Sequence, residues 1–334
     1  MIDDKILAQF SGKGVLVTGG TGLIGRQVVE LLCDAGAKVQ IISLDRVVVD
    51  ARAEHIHGDL TSFDYCKSAV TGQDFVFHLA GIKASAAISE SRLASHFIPT
   101  LMMNTNVLEA CRLAGVKKVV YTSSIGAYAN TDIFREEEYR LDTIPMDFAG
   151  WAKRMAELQI HAYKVQHGME NFAVVRPCNV YGPGDNFDPD NAMVVPALMG
   201  RIHRGENPMV IWGDGSAVRD FAYSRDVAEG VILALHHGTR GTFVNLGNGR
   251  GHTIRELVEA LCSFLHFEYR FDASKPSGFP IRIMDTARAK EWIGYQPTTS
   301  LQEGLQKTWE WFINNQDEHL HKKNYFRDPK NDAR

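Results

Sequence analysis

Three glycines carry the first chemistry of this chain: Gly19, Gly22 and Gly25 recur at intervals of three in Thr18-Gly19-Gly20-Thr21-Gly22-Leu23-Ile24-Gly25. They follow a β-branched run and open an amphipathic one, and this context lifts the pattern above chance. Gly19 permits a tight turn, Gly22 lets the backbone approach a pyrophosphate, and Gly25 packs a helix on a sheet. The first amides of that helix then face an anion. The expected ligand is a dinucleotide held by Gly19, Thr21, Gly22, Leu23, Ile24 and Gly25. A second candidate lies at Lys153, which stands four residues after Ala149 and so shares its helix face.

The elements that must position these groups alternate along the first half of the chain. Val15–Thr18, Val39–Ile42, Phe75–His78, Lys118–Thr122 and Phe172–Arg176 read as strands. Leu23–Leu32, Phe63–Val70, Leu101–Ala114 and Gly150–Val165 place apolar residues at helical spacing. This is the pattern of an α/β, Rossmann-like doubly wound parallel sheet. Residues 1–178 are expected to form the dinucleotide-binding domain, rejoined by the chain at about 226–248. From 179 to 318 Gly and Pro recur between shorter elements, as in a smaller α/β substrate-binding lobe. Residues 319–334 read as a polar, poorly ordered tail.

Composition narrows the function. With 334 residues and 45% hydrophobic content the chain can bury a large core. A net charge of −4 without a long basic run argues against nucleic acid as a partner. Residues 1–12 carry Asp3, Asp4 and Lys5 and no apolar stretch of signal-peptide length, so neither export nor a membrane is expected, and the location is read as cytoplasmic. Cys33, Cys66, Cys111, Cys178 and Cys262 are scattered and odd in number, which fits free thiols rather than disulfides or a metal site.

The glycine run, Ser123-Ser124, Gly150-Trp151-Ala152-Lys153-Arg154 and Arg176-Pro177-Cys178-Asn179-Val180-Tyr181-Gly182-Pro183 together resemble the extended short-chain dehydrogenase/reductases of the NAD-dependent epimerase/dehydratase family. That family acts on nucleotide-linked sugars. The resemblance implies that Asp59-Leu60 and Leu79-Ala80-Gly81 line the adenine and ribose pockets, that Arg176 lies at the cofactor, and that Lys153 holds the cofactor ribose. It also implies a tyrosine at the position of Ala149, where an acid/base phenol would sit one turn from the ammonium. NAD-specific members carry an acid at the end of the second strand, and NADP-specific members carry cations. Here that position is Ser43, with Asp45 and Arg46 just beyond, so NAD and NADP both remain open.

In the same family Ser124 would hydrogen-bond the sugar oxygen, with Tyr128 four residues on. Dehydrating members have Asp-Glu directly after this serine, and decarboxylating members have a nearby Glu; this chain has Ile125-Gly126. The second half resembles the GDP-fucose synthases within the family, in Asn179 to Pro189, Val195-Pro196-Ala197-Leu198, Trp212-Gly213-Asp214-Gly215 and Arg219-Asp220-Phe221. Epimerisation at C3 and C5 there needs a Cys and a His whose positions hold Gly126 and Met193. By this likeness Lys83, Ser124, Asn179, Val195, Arg219 and Arg282 bind a nucleotide-diphosphate sugar, the arginines pairing with phosphate or ribose.

What survives is hydride chemistry at C4 of the sugar, as a 4-keto reductase or 4-epimerase, with a GDP-sugar as the expected substrate. If Ala149 replaces an original Tyr, the chain is impaired. Otherwise the proton comes from Tyr128 or from water held by Lys153. A catalytically silent dinucleotide-binding protein stays open as a second reading. The resemblance also implies a homodimer through the helices at 101–114 and 150–165.

Overall fold

The computed structural model describes residues 2–83, 91–323 and 326. After a short helix α1 (Asp4–Leu7), β1 (Gly14–Thr18), α2 (Leu23–Asp34), β2 (Lys38–Ser43), β3 (Glu54–His57), α3 (Phe63–Val70), β4 (Phe75–His78), α4 (Leu93–Ala114) and β5 (Lys118–Thr122) alternate strand and helix. Then come β6 (Ile133–Phe134), α5 (Phe148–His167), β7 (Phe172–Pro177) and β8 (Asn179–Tyr181). Strands β1, β4, β5 and β7 bury nearly every residue, as expected of a parallel sheet covered on both faces.

The remaining elements are α6 (Val194–His203), β9 (Met209–Trp212), β10 (Val218–Tyr223), α7 (Ser224–His237), β11 (Phe243–Leu246), β12 (Gly251–Thr253), α8 (Ile254–Cys262), β13 (Tyr269–Asp272), β14 (Ile281–Met284), α9 (Ala287–Ile293) and α10 (Leu301–Asn314). The main sheet has seven parallel strands in the order β11-β7-β5-β4-β1-β2-β3. It is a Rossmann-like α/β fold. The order turns outward on either side of β1 and β4, and in such sheets ligands bind at the carboxyl ends of the strands where this happens. A smaller assembly of β12-β10-β14-β6, with β8 on β10 and β9 on β13, carries a second core around Phe187, Met199, Leu257 and Phe312.

Two helices start earlier than their periodicity indicated. Helix α4 begins at Leu93 and runs through Pro99, a residue that sequence reasoning takes as a boundary because it lacks an amide hydrogen. Helix α5 begins at Phe148 because Asp147 caps it, its Oδ1 accepting from the Gly150 amide at 2.6 Å. The expected disordered tail is corrected in part. Residues 321–323 and 326 pack on the body of the protein, whereas 324–325 and 327–334 lie outside the described residues. No helix among the described residues is long and apolar enough to cross a membrane.

Candidate active site

The glycine run joins β1 to α2, as the motif requires. A Cβ on Gly25 would lie 2.2 Å from the Gly19 carbonyl oxygen, so only glycine lets α2 start this close to the turn. The N-cap of α2 is Gly22, which has no side chain to satisfy the first amides, and they are left for an anion. Thr21 donates to Asp45 Oδ2 at 2.6 Å, and the Thr21 and Ser43 hydroxyls share a 2.7 Å hydrogen bond. Asp45 is thereby drawn from beyond the end of β2 onto the glycine-rich turn, where its other carboxylate oxygen accepts from the Lys323 amide at 2.7 Å. These groups fit a dinucleotide. Asp59 caps its own turn by accepting from the Thr61 amide, and Leu60 is buried, its carbonyl accepting from Asn106 and Cys66.

Beneath the turn a buried chain of hydrogen bonds crosses the sheet. His78 Nε2 donates to Asn104 Oδ1 at 3.1 Å, which leaves Nδ1 bare to accept from the Thr18 hydroxyl at 2.7 Å. Burial pushes His78 down to about 3, with the Lys153 charge adding to this, so the ring is neutral. Asn104 Nδ2 donates to the Tyr121 hydroxyl at 3.0 Å and, more weakly, to the Ala152 carbonyl. Thr18 Oγ1 also accepts from the Ala80 amide, fixing the loop Leu79-Ala80-Gly81 after β4. Sequence reasoning missed Asn104. A polar residue among buried apolar ones on α4 was the available signal.

Lys153 projects from α5 into this region. Its Nζ donates to the Thr122 carbonyl at 2.7 Å, lies 5.1 Å from the Tyr121 ring centre and sits 3.5 Å from where a Gly81 Cβ would be. Burial lowers its pKa to about 8, opposed by the Glu157 charge. An ammonium with such a pKa can surrender a proton near neutrality. Helix α5 comes this close to the loop after β5 because Gly150 has no side chain: a Cβ there would lie 1.9 Å from the Gly126 carbonyl oxygen.

That loop presents Ser124, half-buried, whose hydroxyl accepts from the Gly126 amide at 3.1 Å. The Cβ position of Gly126 lies 3.5 Å from both Ser124 Oγ and Asp147 Oδ1, so hydroxyl and carboxylate flank one spot. Asp147 was not anticipated. Its signal was an Asp just ahead of a helix.

Two anticipated groups lie away from the cleft. Arg176 is fully buried and paired with Glu157, Nε to Oε1 at 2.9 Å, with its guanidinium 4.2 Å from the Tyr128 ring and 3.6 Å from the Phe243 ring. A residue sealed in this way holds the core, not a cofactor. Tyr128 is likewise in the core, its hydroxyl donating to Asn245 Oδ1 at 2.9 Å, and burial pushes its phenol far up. It cannot serve as the proton donor.

In the smaller assembly, Arg219 and Arg282 stand in register on adjacent strands β10 and β14. Each is half-buried, and burial lowers both; at Arg219 the Arg282 charge adds to this. Arg282 Nε is buried without a hydrogen-bond partner among the described residues. Arg219 also donates to the Val218 carbonyl at 2.8 Å and Arg282 to Asn130 Oδ1 at 3.2 Å, which leaves a pair of neighbouring guanidinia whose chemistry suits an anion. Asn179 Nδ2 donates to the Asp220 carbonyl at 3.3 Å, Val195 is buried in the smaller core, and Lys83 pairs with Asp185 at 2.6 Å. No group of three or more metal-ligating side chains occurs among the described residues.

The parallel sheet, the glycine-rich turn at its switch point and a half-buried lysine on α5 of the same lobe are those of a dinucleotide-binding α/β protein class. A family model, that of the NAD dependent epimerase/dehydratase family, matches residues 15–247, and the chain belongs to that family. It is 32% identical over 325 residues to a probable GDP-L-fucose synthase of Oryza sativa subsp. japonica, covering 93% of this chain and 95% of that protein. It is 30% identical over 324 residues to a dTDP-4-dehydro-6-deoxy-D-allose reductase of a Streptomyces species, covering 91% and 97%. The solved UDP-glucose 4-epimerase of Thermotoga maritima with UDP-glucose superposes with a TM-score of 0.77 at 30% identity, over 91% of this chain and 99% of that one. Its relatives are therefore nucleotide-sugar synthases, reductases and epimerases.

Proposed function

We propose that this protein is a nucleotide-sugar oxidoreductase acting at C4, a 4-keto reductase or 4-epimerase, with NAD as its dinucleotide and a GDP-sugar as substrate. The observation that carries this reading is that α5, which bears Lys153, packs on the loop that bears Ser124, while Arg219 and Arg282 stand side by side on neighbouring strands. Reduction of a ketone takes a hydride, which a nicotinamide supplies when bound, and a proton, which the chain must deliver. Ser124 donates a hydrogen bond to the C4 oxygen and builds up positive character at carbon. Lys153 holds the proton, passing it directly or through a water in the space where Ala149 leaves no phenol. Arg219 and Arg282 hold the diphosphate. The carboxylate of Asp45 on Thr21 supports NAD, because a 2′-phosphate there would meet like charge.

Ala149 makes the chain a slow catalyst in this reading. Restoring the phenol with Ala149→Tyr should raise hydride transfer by about 10²–10⁴-fold with little change in ligand affinity, since a positioned acid contributes that much. Reduced-nicotinamide absorbance with GDP-, UDP- and dTDP-linked 4-keto sugars is the readout. Dinucleotide binding with no turnover by either form would favour a binding-only protein. Failure of both NAD and NADP to bind in the micromolar range would remove the reading altogether.

A further inference from the structure

The C-terminal segment after α10 crosses the region built for the dinucleotide. Glu318 pairs with Arg26, in the first turn of α2, at 2.5 Å, and the Arg46 amide donates to the His321 carbonyl at 3.3 Å. Lys322 Nζ donates to the Gly184 carbonyl at 2.7 Å and lies 3.3 Å from Glu318. The Lys323 amide donates to Asp45 Oδ1 at 2.7 Å, and the Phe326 ring meets His96 edge-on at 5.9 Å. From 318 to 323 the chain therefore passes from the start of α2 to the Asp45 end of the glycine-rich turn, and Phe326 lies against α4.

We propose that this segment is an autoinhibitory strap: it competes with the dinucleotide for Asp45 and for the start of α2, so that seating the tail and binding the cofactor exclude one another. Asp45 is the shared group. One carboxylate oxygen is taken by Thr21 from within the site, and the other is taken by the tail, which leaves the diol of a ribose to displace the Lys323 amide. Glu318 likewise places a carboxylate beside the helix N-terminus that attracts a pyrophosphate, where two anions repel. The Arg26 and Lys322 pairs hold the strap down, and Lys322, largely buried between Glu318 and Gly184, is the cation that makes this placement tolerable.

The strap rests on the dinucleotide reading above, and the test separates the two. Calorimetric titration of NAD and NADP into the full chain, into a chain ending at Asp317, and into Glu318→Gln and Lys322→Ala gives four affinities for each cofactor. At least tenfold tighter binding is expected for the shortened chain, with smaller gains in the same direction for the two point variants, which keep the fold intact if the truncation does not. In the full chain, saturating cofactor should also speed tryptic cleavage after Lys322 and Lys323. Equal or weaker binding by the shortened chain and both point variants, or protection of those lysines by cofactor, overturns the strap while leaving the dinucleotide site standing. No binding by any form overturns both.

Discussion

At the scale of single residues, the cleft turns on groups whose charge the fold has altered. Lys153 has a folded pKa of about 8 against 10.5 for an ordinary lysine, so folding costs free energy for as long as the ammonium stays charged. That cost is complete below pH 8 and is relieved as pH rises toward 10.5. The stability of the natural chain relative to Lys153→Met should therefore increase across this window, and urea titrations at several pH values read it; a flat difference would count against the buried ammonium. In catalysis the same group predicts reduction that declines above about pH 8. Tyr128→Phe separates core from cleft. It removes a buried hydrogen bond to Asn245 and should cost about 1–2 kcal/mol of stability while leaving turnover unchanged. A large loss of turnover at unchanged stability would restore Tyr128 to the cleft.

At the scale of elements, close approaches of backbone place the reactive side chains. Helix α5 touches the loop after β5 through Gly150, so the helix that carries Lys153 packs directly on the loop that carries Ser124. Gly150→Ala gains about 1 kcal/mol of helix propensity. It also forces a methyl into the Gly126 carbonyl, and overpacking of this kind costs about 1–3 kcal/mol. Hydride transfer should fall at least tenfold while dinucleotide affinity holds, because the loop that moves carries Ser124 and not the glycine-rich turn. Parallel measurement of both quantities checks this; equal loss of both would show that the contact supports the whole lobe.

At the scale of the molecule, α4 and α5 pack against each other and leave Ile98, Met102, Leu113, Met155 and Val165 exposed on their outer faces. Met102 is 44% and Met155 41% exposed, and together with their neighbours they make an apolar surface that a two-fold copy of the same helices would cover. We expect a homodimer in sedimentation at micromolar concentration, and the double charge change Met102→Glu with Met155→Glu should yield monomers. A monomer from the unaltered chain would exclude this interface.

Local pattern determined the alternating strands and helices and the glycine-rich turn, because each depends on residues within a few turns of one another, whereas Ser124 and the tyrosine expected where Ala149 stands came from the family resemblance. The sheet order and the neighbouring strands of Arg219 and Arg282 required the assembled fold. So did the removal of Arg176 and Tyr128 from the cleft: both look functional in the sequence, yet the first is closed in by Glu157 and three rings and the second by Asn245, 117 residues away. Asp147 emerged only when α5 met the loop after β5. The tail at 319–334 read as polar and loose because its partners are far off in sequence, Lys323 lying 278 residues from Asp45. Burial and pairing are set by such distant contacts, and these decide which of several plausible side chains keeps its chemistry and which is spent on the core.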